Sequence, residues 1–263
     1  MSVPANAPPH SPRGLFGFKP SILDERTLHL DHYRSSGQVY DAPAPIQNWR
    51  QPAMTGMWWN DSLNDCTVAA ICARIQQLCA MAGITCTLTL DEARAFYFSL
   101  TGGADDGLMP IEVLTRLNAA GIGKDAWLKG CTFARVDIQD PVKVRAALWG
   151  FGFVYLGANL PKRIDSTGST WKRPPLAQQT TALDSQDASR GHCFGLYSAE
   201  REELGFYTWS EDIASNDDWL SCYGIEGWMI KDPLWSRSRN GVAPNGYDDA
   251  RLEADLAGIM LVA

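Results

Sequence analysis

The hydrophobic repeat of this chain changes character near residue 130. From residue 65 to about 120 the apolar residues recur at helical spacing, and beyond 131 they gather into short strand-like runs. Helices collected in one half and strands in the other predict an α+β architecture of two lobes with a cleft between them. The expected divisions are an extended arm (1–54), a helical lobe (55–130), a β lobe (131–235), and a C-terminal strand and tail (236–263).

In the helical lobe, Asn64 and Asp65 precede a run with Val68, Ile71, Cys72, Ile75, Leu78 and Cys79 on one face, which Gly83 stops. Thr89 and Glu92 have capping-box spacing, and Pro110 opens a third helix ending at Gly121. Between them, Thr101 to Gly107 has too few carboxylates at the required offsets for a calcium loop and reads as a turn. In the β lobe, runs at 133–138 and 151–156 flank a short helix at 141–149. A polar loop over 161–190 leads into Gly191 to Tyr197, which turns at 199–203 and returns as Leu204 to Trp209. Residues 236–248 read as a flexible connection, and Leu256 to Val262 as a final strand.

Cys66 falls in the first turn of its helix, where unpaired N–H groups and the helix dipole favour a thiolate; the adjacent Asp65 partly opposes this. Of four histidines, His10, His29 and His32 lie in the Pro-rich arm, which leaves His192 at a strand start as partner base. A helix-start Cys with a distant strand-start His is the arrangement of a thiol hydrolase. The plain alternative is a buried core cysteine and a satisfied core histidine.

A net charge of −7 without any basic stripe argues against nucleic acid as a partner. No apolar run is long enough to span a bilayer, and no signal-peptide pattern opens the chain, so the expected location is cytoplasmic with all seven cysteines reduced. The cysteines form no Cys-x-x-Cys pair, and neither a metal nor a cofactor is expected.

In the order of its motifs the chain resembles papain-like cysteine peptidases, and most closely the divergent papain-like proteins of tailed phages and prophages. The motifs are Asn60 to Ala70, Thr101-Gly102-Gly103 with Gly107, Val144 to Gly157, Gly191-His192, and Thr208-Trp209 followed by Trp219, Trp228 and Asp232-Pro233. The resemblance implies a papain-like two-lobed fold with Cys66 as nucleophile and His192 as base. It implies Asn60 as oxyanion donor, Trp209 as a shield over the histidine, and Gly102, Gly103 and Gly107 near the substrate. The family's orienting Asn falls at Tyr207, whose phenol either accepts from the imidazole or simply packs. The implied function is a peptidase or related amide hydrolase acting on a peptide or protein through an acyl-thioester. The alternative is a non-catalytic binding or structural module of a phage or prophage, gripping a host protein.

Overall fold

The computed structural model describes residues 14–23, 27–33, 46–232, 234–235 and 249–260. Its first helix, α1 (Cys66–Ala82), ends where Gly83 turns left-handed and donates back to the Ala80 carbonyl. Helix α2 (Leu90–Thr101) starts at a complete capping box: Thr89 accepts from the Glu92 amide and Glu92 accepts from the Thr89 amide. Helix α3 (Pro110–Ala120) carries its proline in the first turn, where no amide donor is missed.

Seven antiparallel strands form one sheet: β1 (Ile46–Asn48), β2 (Thr132–Val136), β3 (Val154–Asn159), β4 (Gly191–Glu200), β5 (Glu203–Thr208), β6 (Glu211–Asn216) and β7 (Gly224–Lys231). The path across it is β2-β7-β3-β4-β5-β6, with β1 paired to the far end of β4. Both outer strands are partly covered by irregular chain. The Arg135 amide on β2 donates to Leu28, while Ala214 on β6 exchanges backbone bonds with Ser169 and Trp171.

The sequence reading differs from this structure in several places. Phe151 ends helix α4 (Pro141–Phe151) instead of starting a strand, since Gly152 caps the helix and β3 begins only at Val154. The 161–190 segment is pinned by Trp171, which is buried against Phe194, Trp209 and Trp219. It contains the one-turn helix α5 (Thr181–Asp184). Helix α6 (Asp217–Tyr223) and strands β6 and β7 complete the lobe. The expected C-terminal strand at 256–262 is instead helix α7 (Asp249–Met260), because Ala, Leu and Glu with apolar residues four apart favour the helical period; residues 261–262 lie outside the described residues. The proposed connection at 236–248 also lies outside them.

Helix α1 joins the two halves. Arg74, fully buried, donates to the Phe151 carbonyl (2.9 Å) and pairs with the buried Asp232 carboxylate (3.3 Å). Gln77, one turn on, donates to the carbonyls of Trp49 and Gly152. Tyr155 on β3 donates to the Thr67 carbonyl in the first turn of α1 (2.8 Å). The start of α1 is thereby held against the sheet face that carries β4.

Candidate active site

The loop before α1 is bent by two consecutive non-glycine residues with positive φ, Trp58 (54°) and Trp59 (76°). The Trp59 carbonyl then accepts from the Ser62 and Leu63 amides, which closes the turn. That turn aims Asn60 inward, where it is 2% exposed. Its Oδ1 accepts from Trp209 Nε1 (2.7 Å), and its Nδ2 donates to the carbonyls of Leu15 and Leu63.

Strands β5 and β6 are joined at Trp209 and Ser210, both left-handed (φ 49° and 60°), a two-residue hairpin turn. This geometry lays the Trp209 ring on His192, with centroids 4.1 Å apart and planes at 26°. His192 Nε2 lies 2.6 Å from Thr208 Oγ1, while Nδ1 is buried without a hydrogen-bond partner among the described residues. Tyr207, the position considered for orienting the histidine, instead donates to the Met54 carbonyl (3.0 Å) and lies beneath the Arg50 guanidinium. The strand ends at Thr208, so the turn breaks the alternation that would have put Tyr207 and Trp209 on one face.

Cys66 sits at the first residue of α1 and its sulfur accepts from the backbone N–H groups of Cys193 and Gly17. The nucleophile candidate therefore rests on the residue that follows His192. Burial pushes the Cys66 thiol up to about 12, against the helix-end effect, and pulls His192 down to about 3. Both are neutral at neutral pH, so the thiolate expected from the helix start is absent in this state. Asp65 is fully buried. Burial first, and then the neighbouring Asp105, raise its pKa well above the usual carboxylate range.

The arm contributes to this burial. Leu15, Phe16 and Phe18 are 5–6% exposed and thread between the two halves. The Leu15 amide donates to the Asn60 carbonyl, the Phe18 amide to Gly191, and the Leu108 amide to Gly17, while Lys19 donates to Leu108. Phe16 stands edge-on to both His192 and Trp209, at 6.2 and 6.0 Å. Two glycines permit this approach. A Cβ on Gly17 would lie 1.6 Å from the Asn64 carbonyl oxygen, and one on Gly107 would lie 2.1 Å from the Gly17 oxygen. The free space beside Cys66, lined by Met57, Ala69, Thr208 and Trp209 among others, is only about 10 Å³. That is at the lower limit for one water.

Of the three glycines expected near substrate, Gly107 touches the arm. Gly102 and Gly103 have positive φ and donate to the Phe98 carbonyl, so they terminate α2. The Thr101–Gly107 loop contributes instead through Asp105, whose carboxylate accepts from the Asn64 amide, the Asn64 side chain and the Tyr97 hydroxyl. Thr208 and the arm residues are members of the site that sequence reasoning missed. No group of three or more metal-ligating side chains occurs among the described residues, nor is any described helix long and apolar enough to cross a membrane.

No family model and no curated protein matches the chain. Among solved structures it is similar to xylellain, a cysteine protease from Xylella fastidiosa, at 16% identity and a TM-score of 0.64, over 86% of this chain and 99% of that one. It is also similar to digestive procathepsin L 3 of Tenebrio molitor larval midgut, at 11% identity and a TM-score of 0.50, over 84% of this chain and 76% of that one. These likenesses establish the α+β, papain-like cysteine protease fold.

Proposed function

We propose that this chain is a papain-like cysteine hydrolase of peptide or related amide bonds, described here in a latent state with its own arm in the cleft. The observation that carries the reading is a connected set of contacts: the Trp209 ring lies on His192 and donates to Asn60 Oδ1, and Trp209 and Thr208 line the same small space as Cys66 at its helix start. In the tautomer that donates Nε2–H to Thr208, Nδ1 keeps a free lone pair, as a base for the thiol requires. The Asn60 Nδ2–H, which now binds the Leu15 carbonyl, is a donor of the kind that stabilises an oxyanion.

On release of the arm, water reaches both groups, the burial penalty falls, and transfer of the Cys66 proton to His192 becomes accessible. The thiolate attacks the scissile carbonyl, Asn60 and the Cys66 amide hold the oxyanion, and the imidazolium protonates the leaving amine. His192 then activates water to hydrolyse the thioester. Trp209 limits solvent at the imidazole face throughout.

A second reading, a non-catalytic binding module such as a phage or prophage component, is favoured, as to the missing catalysis, by the neutral, closed pair and by a site with room for no more than about one water. Activity-based labelling decides between them. The full chain is treated with a peptidyl epoxide before and after limited proteolysis of the arm, and the adduct is mapped. Selective modification of Cys66, with concurrent peptide hydrolysis that Cys66→Ala abolishes, is the expected result. An arm-free protein that folds but neither labels at Cys66 nor hydrolyses any member of a peptide library would leave the binding module as the function.

A further inference from the structure

A second thiol site lies at the opposite end of α1 from Cys66. Cys79 occupies the last turn of the helix, and Cys86 follows the reversal that Gly83 imposes. In that reversal the Gly83 amide donates to Ala80 and the Ile84 amide to Cys79, which folds the outgoing chain back along the helix. Leu88, 7% exposed, anchors its far end. The two side chains meet: the Cys79 S–H donates to the Cys86 sulfur, which also accepts from the Leu88 amide. Cys79 is 1% exposed, whereas Cys86 is half-buried and the only member of the pair that solvent reaches appreciably.

We infer that Cys79 and Cys86 form a reversible dithiol–disulfide site, which an external low-molecular-weight disulfide oxidises by way of Cys86. The sequence predicts that all seven cysteines are reduced; here two of them are positioned as attacking and resolving partners. Both hydrogen bonds to Cys86 favour its thiolate, so its pKa lies below that of an ordinary cysteine, while Cys79 is held protonated. The Cys86 thiolate attacks one sulfur of RSSR, forming Cys86–S–S–R and expelling RS⁻. Cys79 then gives up its proton and attacks the Cys86 sulfur, expelling the second RS⁻. Two protein thiols are oxidised to one disulfide, and RSSR is reduced to two RSH. Cys72, buried on the same helix face one heptad earlier, has no exposed sulfur to start this sequence. The product staples the C-terminal turn of α1 to the segment that enters α2.

The test uses the full chain carrying Cys66→Ser, so its outcome is independent of whether the protein is a hydrolase. The variant is equilibrated in glutathione buffers of rising oxidised fraction, quenched in acid, alkylated, digested without reductant and mapped by mass spectrometry. A peptide pair linked Cys79–Cys86, lighter by two hydrogens, should accumulate and revert on addition of reduced glutathione. The linked species should resist thermal unfolding better than the reduced one. Adding Cys79→Ser should stop the reaction at the glutathione adduct of Cys86. Accumulation of that adduct in protein that retains Cys79, a link through Cys72, or equal alkylation of Cys79 and Cys86 at every oxidised fraction would overturn the inference.

Discussion

His192 Nε2 and Thr208 Oγ1 are 2.6 Å apart, so a hydroxyl on the neighbouring strand end fixes the imidazole. A hydroxyl provides no negative charge to stabilise an imidazolium; its contribution is orientation and tautomer. Thr208→Val keeps the branched shape and removes the bond. It should lower kcat of the arm-free protein about tenfold or more while leaving KM nearly unchanged, a part of the roughly 10²–10⁴-fold that a general base contributes. Thr208→Ser should restore most of the loss. Steady-state kinetics of the two variants on one peptide substrate checks this.

In the proposed latent state the arm governs thiol reactivity. With Cys66 at about 12 in the closed state, only a minute thiolate fraction exists at neutral pH. Return even to the ordinary free-cysteine value of about 8.5 would raise it by roughly 10³-fold. Gly17→Val cannot keep its contact with the Asn64 carbonyl and should lift the arm. Site-resolved alkylation should therefore show Cys66 reacting orders of magnitude faster in that variant. An unchanged rate would mean that something other than the arm buries the sulfur.

Acid should weaken the closed state through His192. Its pKa falls on folding from 6.5 to about 3, so below 6.5 the unfolded chain takes up a proton that the folded chain refuses. This contribution to stability is complete above about 6.5 and is lost as the pH drops toward 3, at most roughly 5 kcal/mol across the window. Unfolding by denaturant at stepped pH should show a shallower acid slope for His192→Gln than for the parent.

The Arg74–Asp232 pair is buried on both sides, at 0% and 1% side-chain exposure. Asp232→Asn leaves a guanidinium in the core without its counter-charge, and should cost about 3–5 kcal/mol of stability. Burial already presses the Arg74 pKa down and the Asp232 pKa up, each partly offset by its partner. Thermal and denaturant melts of the variant measure the loss. A change under about 1 kcal/mol would show that water replaces the missing charge.

The helical lobe was legible because its boundaries are written in local chemistry. Gly83 ends α1 and the Thr89–Glu92 box starts α2, and each acts over a single turn of chain. The hairpin of β4 and β5 was legible from alternation and a charged turn. Strand β6 was not, since Glu-Asp-Ile-Ala-Ser-Asn has little β propensity and its turn is Trp-Ser, not Asn-Gly. Strand β7 was hidden by its two glycines and by Glu226, a buried acid that accepts from Trp228. Within the site, Cys66 and His192 could be proposed from residue type and placement. Thr208 could not, because its role depends on where the β5 strand stops. The seating of the arm was equally hidden, since Gly-Leu-Phe-Gly-Phe has no periodicity and its register is set by glycines on both sides of the contact.

In the proposed latent state the segment in the cleft is covalently continuous with the protein that it blocks. It therefore acts as an intramolecular ligand at an effective concentration on the order of millimolar, whatever the dilution of the protein. A free peptide substrate must exceed that local concentration or bind far more tightly in order to enter. A single cut in the chain beyond Lys19 turns the tether into a dissociable peptide, and blockade then depends on concentration: progress curves after such a cut should accelerate on dilution, whereas those of the uncut chain should not.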